Sequence, residues 1–104
     1  MIKMNSDDVK KKIVADLKPL NPKKLILFGS FGTGNFVEGK SDIDLLIVKD
    51  SRNKSLAERY KEARLALKLD FPFDIFVLTE KELKDRVSKS FFFREIVEKG
   101  SVLL

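Results

Sequence analysis

The sequence predicts an α+β fold, a small mixed or antiparallel sheet of three to four strands packed against helices. Three observations carry that expectation. Short apolar runs at Lys24–Phe28, Asp42–Val48 and Phe73–Leu78 have strand length and are bounded by Gly, Pro or charged residues. Helix-start signatures, Ser55 with Glu58 and Thr79 with Glu82, stand between and after them. Apolar residues at helical spacing occur at both ends of the chain. At 104 residues the chain is read as a single domain, 1–104, with one two-layer core.

The elements follow in order. Asn5 or Ser6 can cap a first helix, with Asp7 and Asp8 well placed in its positive first turn. Val9, Ile13, Val14 and Leu17 give this helix one apolar face, and Pro19 and Pro22 end it. Lys24 to Phe28 is the first strand, and a Gly-rich link from Gly29 to Ser41, with room for a short helix near Ser30, joins it to the second. In the second strand Ile43, Leu45 and Ile47 face one way and Asp42, Asp44, Leu46 and Val48 the other. Leu56, Tyr60, Ala63 and Leu67 form the expected buried stripe of the next helix, which Phe71-Pro72 breaks. After the third strand, Leu83 and Val87 point inward from a short helix. Phe91, Phe92, Phe93, Ile96 and Val97 fall on a last one that Gly100 stops. Helices on one face of the sheet are the expected packing.

Composition narrows the chemistry. There is no cysteine and no histidine, which excludes disulfides, thiolate metal sites and imidazole bases. No apolar run approaches the roughly 20 residues of a membrane span, and the N-terminus lacks a signal-peptide core, so a cytoplasmic protein is expected. The formal charge of +5 favours anionic partners. The basic residues are dispersed and not interleaved with exposed aromatics, which argues against a nucleic-acid binding module.

Carboxylates must then do the work. Asp42 and Asp44, two apart on a strand, place two acids side by side at the end of an otherwise apolar element. Hard cations such as Mg²⁺ take oxygen ligands of this kind, and two ions can serve phosphoryl transfer. Asp74 stands among Phe73, Ile75, Phe76 and Val77, so it either faces an exposed surface or meets a cation; the cation is the reading adopted. Gly29, Gly32 and Gly34 admit a phosphate close to the backbone, and Ser30 can offer its hydroxyl and cap a following helix. The simpler alternatives are solubilising acids at a strand end and a serine that only caps. Lys40, Lys49, Arg52 and Lys54 are read as solvated surface. The segment Gly34 to Ser41 spells the P-loop pattern G-x-x-x-x-G-K-[ST], but a strand follows it where a P-loop needs a helix, so it is set aside.

Gly29-Ser30, a loop, and Ser41-Asp42-Ile43-Asp44-Leu45 together resemble the signature of the nucleotidyltransferase superfamily related to DNA polymerase beta. The small size resembles its minimal nucleotidyltransferase branch, and the similarity extends from Lys24 to the Phe-Phe-Phe-Arg-Glu-Ile-Val-Glu-Lys-Gly segment at 91–100. The resemblance implies a polymerase beta palm-like fold, with Asp42, Asp44 and Asp74 as catalytic metal ligands and Gly29 and Ser30 at the nucleotide phosphates. It implies Mg²⁺, two ions, and a nucleoside triphosphate, ATP, as donor. It further implies an antitoxin that transfers AMP to a tyrosine of a HEPN-family toxin. Set against this enzyme is a binding module that silences a HEPN partner by complex formation alone. An aminoglycoside-type small acceptor is weaker, because such enzymes carry extra structure. The Phe91-Phe92-Phe93 run supplies more apolar surface than its helix needs to bury. Core packing accounts for two of the three, and the remainder suits a homodimer or partner interface.

Overall fold

The computed structural model describes residues 5–29, 42–51 and 53–104. Among them the order is α1 (Ser6–Leu17) with a 3-10 turn (Lys18–Leu20), β1 (Lys24–Phe28), β2 (Ile43–Val48), α2 (Leu56–Ala66), β3 (Phe73–Leu78), α3 (Glu80–Lys89), α4 (Phe91–Lys99) and β4 (Ser101–Val102). The sheet runs β3-β2-β1-β4, so the expected α+β fold is what forms. β1 is antiparallel to both β2 and β4, while β2 and β3 are parallel, with α2 in the crossover between them. β4 is the element that the sequence alone did not announce. It is two residues long and pairs Ile26 with Val102 and Leu27 with Ser101.

The helices start where the caps predict. The Asn5 side chain accepts from the backbone N–H of Asp8 at 2.8 Å. Ser55 with Glu58 and Thr79 with Glu82 both close reciprocal capping boxes. Gly100 ends α4 by donating its backbone N–H to the carbonyl of Ile96 at 2.8 Å. A Cβ there would collide with the Ile26 side chain, so the glycine also lets the helix end press onto β1.

Alternation divides the core in two, and here the expectation of one covered face is corrected. Leu25, Leu27, Ile43, Leu45, Ile47, Ile75 and Val77 meet Val9, Ile13 and Leu17 of α1 and Ala63 of α2 on one side. Ile26, Phe28, Leu46, Val48 and Leu78 meet Phe93 and Ile96 of α4 on the other, with Leu83 and Val87 of α3 packed alongside. Strands buried on both faces explain why β1 after Lys24 and β2 after Asp44 read as unbroken apolar runs.

The stripe of α2 is also corrected. Leu56 and Tyr60 are exposed, while Arg59 is buried beside Ala63. The charge is satisfied on several sides. Arg59 Nη1 donates to Glu82 Oε1 at 2.6 Å, Nη2 to the Ser51 carbonyl at 2.9 Å and Nε to the Lys54 carbonyl at 3.0 Å. Its aliphatic stem fills the apolar position while the head ties α2 to the start of α3. Lys49, expected to be solvated, is instead buried and paired with Glu62 at 2.9 Å; Lys54 binds the same carboxylate. Arg52 lies outside the described residues.

Replacing Arg59 by Ala orphans these carbonyls and is expected to cost about 2–4 kcal/mol in urea unfolding. The Arg59 hydrogen bond, helped by the Thr79 amide, holds the Glu82 carboxyl below its usual value of 4.5. That contribution is present above 4.5 and fades as pH falls through the depressed folded value. Glu82→Gln is therefore expected to flatten the acid limb of a melting-temperature profile.

Candidate active site

The geometry of the site follows from strand pairing. Parallel β2 and β3 place Asp44 directly opposite Asp74, and antiparallel β1 places Phe28 opposite Asp44. Cross-strand partners share a face, so Asp44 and Asp74 turn toward the side covered by α3 and α4. Asp42 lies immediately before β2, again on alternate register with Asp44. Asp42 and Asp74 are exposed, and Asp44 is half-buried between them.

Asp42 and Asp74 both act on Asp44. Burial raises the Asp44 pKa above its usual 3.8, and the charges of Asp74 and Asp42 push it further in the same direction. Carboxylate oxygens are the kind of ligand a hard cation takes. Among the described residues no group of three or more acidic side chains is placed closely enough to hold a metal ion. Two carboxylates can still suffice for an ion that keeps waters and takes substrate oxygens as further ligands. Of the two earlier alternatives for Asp74 the exposed face is the one observed, and it lies opposite Asp44.

Gly29 completes this edge. Its φ is +67°, a conformation that favours glycine, and a Cβ built there would overlap the Asp44 carboxylate. Sequence reasoning marked Gly29 for phosphate contact; the structure adds that its missing side chain makes room for Asp44. Ser30, Gly32, Gly34, Lys40 and the P-loop-like segment 34–41 lie outside the described residues. The strand after that segment is nevertheless present, since β2 begins at Ile43.

Comparison with known proteins agrees with this architecture. The nucleotidyltransferase domain family matches residues 8–102. A Methanocaldococcus jannaschii protein that carries the provisional name protein adenylyltransferase is 34% identical over 103 residues, spanning 96% of this chain and 99% of its own. A crystal structure from Sulfolobus solfataricus, provisionally assigned as a nucleotidyltransferase, superposes with a TM-score of 0.59 at 21% identity. That match covers 98% of this chain and 89% of the other, and it supports the fold.

The raised pKa gives a sign. An acid whose pKa is higher folded than unfolded costs stability as pH rises from 3.8 through the folded value. In chelator at pH 7, Asp44→Asn is therefore expected to melt above the wild type, and the difference should vanish near pH 3. Family members generally work with a divalent metal ion. The chain belongs to the nucleotidyltransferase family and is a nucleotidyl transfer enzyme.

Proposed function

We propose that this chain transfers AMP from ATP to a hydroxyl group, in the cytoplasm, as a single domain of residues 1–104. The observation that carries the reading is the in-register pair Asp44 and Asp74, with Asp42 coupled to it and Gly29 against it. Asp42 and Asp44 would hold Mg²⁺, with Asp74 sharing a second ion on the acceptor side. Bound there, the ions supply charge neutralisation of the triphosphate and a lower pKa for the acceptor hydroxyl.

The remaining work belongs to the chain. Gly29 and Ser30 would seat the phosphates, the first by offering backbone without a side chain. The acceptor oxygen forms a bond to the α-phosphorus while the bond from that phosphorus to the α,β-bridging oxygen breaks, and pyrophosphate leaves. The hydroxyl proton passes to Asp74, the exposed carboxylate on that side, and then to water. The provisional name of the archaeal relative points to a protein acceptor. We take that acceptor to be a tyrosine of a HEPN-type toxin, which would make this chain its antitoxin.

A second reading, silencing by complex formation alone, is favoured by one observation. Phe91, Val97 and Val102 are exposed apolar residues of α4 and β4. The same surface would serve a homodimer. Co-expression with the toxin separates the readings: AMP on a partner tyrosine supports transfer, and an unmodified but inhibited partner supports binding alone.

For transfer itself, Asp44→Asn is expected to lower pyrophosphate release by about 10³-fold, equivalent to several kcal/mol of lost charge stabilisation. Circular dichroism should show the fold intact. Unchanged turnover would remove Asp44 from the mechanism. Mg²⁺ should also raise the melting temperature of the wild type and do so far less in Asp44→Asn.

A further inference from the structure

We propose that a cavity of about 280 Å³ between the end of β1 and α4 receives the nucleobase of the nucleotide. The inference rests on the nucleotidyl-transfer reading above and assigns the part of the substrate that the carboxylates do not touch.

Position is the first argument. Phe28 and Gly29 at the end of β1 and Phe92 and Ile96 of α4 line the cavity together. Gly29 is the residue whose Cα lies against Asp44, and Phe28 is the cross-strand partner of Asp44. The cavity therefore lies on the carboxylate face of the sheet and begins at Gly29, a residue proposed above to seat phosphate. A nucleotide whose α-phosphate lies at Asp44 has its sugar and base to place on this side or in water.

The chemistry of the lining is the second. Phe92 is half-exposed although its ring is packed edge-on by three others, with centroids at 5.9 Å from Phe28, 6.0 Å from Phe76 and 5.2 Å from Phe93. Such a ring is already fixed, so stacking on its free side loses little rotamer freedom. The run Phe91-Phe92-Phe93 was expected to bury two rings, but only Phe93 is buried. Core packing does not explain why Phe92 is left half-open at the cavity.

The mouth carries charge. Glu95 lines the cavity, and Lys99 Nζ engages its Oε2 at 3.1 Å. A carboxylate accepts at both oxygens, so the pair steadies Glu95 while leaving Oε1 able to accept from an exocyclic amine. An amine-bearing base such as adenine gains this contact; hypoxanthine, with a carbonyl in that place, can enter the cavity but lacks it.

Calorimetry with Mg²⁺ and ATP, ITP or inorganic tripolyphosphate tests this on the intact chain. Phe92→Ala is expected to weaken ATP and ITP by about tenfold or more and to leave tripolyphosphate unchanged. Phe92→Leu, which keeps apolar volume without the aromatic face, should do the same with an unaltered melting temperature. Glu95→Ala should bring ATP down to the affinity of ITP. If ATP binds and neither Phe92 variant weakens it, the subsite is overturned. A parallel loss of tripolyphosphate also overturns it, because the effect is then not at the base. Loss of partner capture with ATP binding intact would overturn it in favour of a docking face. An ATP-to-ITP ratio untouched by Glu95→Ala overturns the amine contact. A wild type that binds neither ATP nor tripolyphosphate defeats the transfer reading itself, and the subsite with it.

Discussion

The parallel ladder between β2 and β3 is the constraint on which the rest of this molecule depends. It runs unbroken from Ile43 opposite Phe73 to Val48 opposite Leu78. Parallel strands cannot be joined by a tight turn, so the chain must leave the sheet, form α2 and return. A slip of one residue would turn Asp74 toward α1 and α2 and bring Phe73 and Ile75 to the other face. A slip of two would restore the face but carry the carboxylate about 7 Å along the strand. The buried sets Ile43, Leu45, Ile47 and Ile75, Val77 forbid the first, and the fixed ends of the crossover oppose the second.

Those ends are fixed by polar contacts at the far edge of the sheet. Arg59 reaches the Ser51 and Lys54 carbonyls before α2 and Glu82 at the start of α3. Lys49 and Glu62 add a second link between the end of β2 and α2. The protein is thus polar at both edges of β2 and β3 and dry between them. One edge holds acids without a described cation, and the other holds cations and acids in matched pairs.

Much of this was legible in the sequence, for identifiable reasons. β1 and β3 have the predicted bounds because five- or six-residue apolar runs between breakers admit few alternatives. The capping boxes formed because their spacing is itself the geometry. The acids could be paired because alternation on a strand is a rule of two. The phase of α2 was not legible: Leu56 and Tyr60 fit the helical period as well as Arg59 does, and only the carbonyls at 51 and 54 show why the arginine goes inward. The two-residue β4 carries no pattern of its own. The cavity at Phe92 depends on how α4 docks onto β1, a long-range contact that no local spacing encodes. Gly29 was marked by its residue type, but its contact with Asp44 needed the fold.

That contact also constrains how this chain could change over generations. Any side chain at position 29 must share space with the Asp44 carboxylate. Such a residue would also have to hold the backbone at a φ of +67°, which side chains other than glycine's rarely adopt. Either the Asp44 carboxylate turns away from its present place or the end of β1 shifts. The two positions are therefore linked, and change at 29 is expected to travel with change at 44 among descendants of this chain.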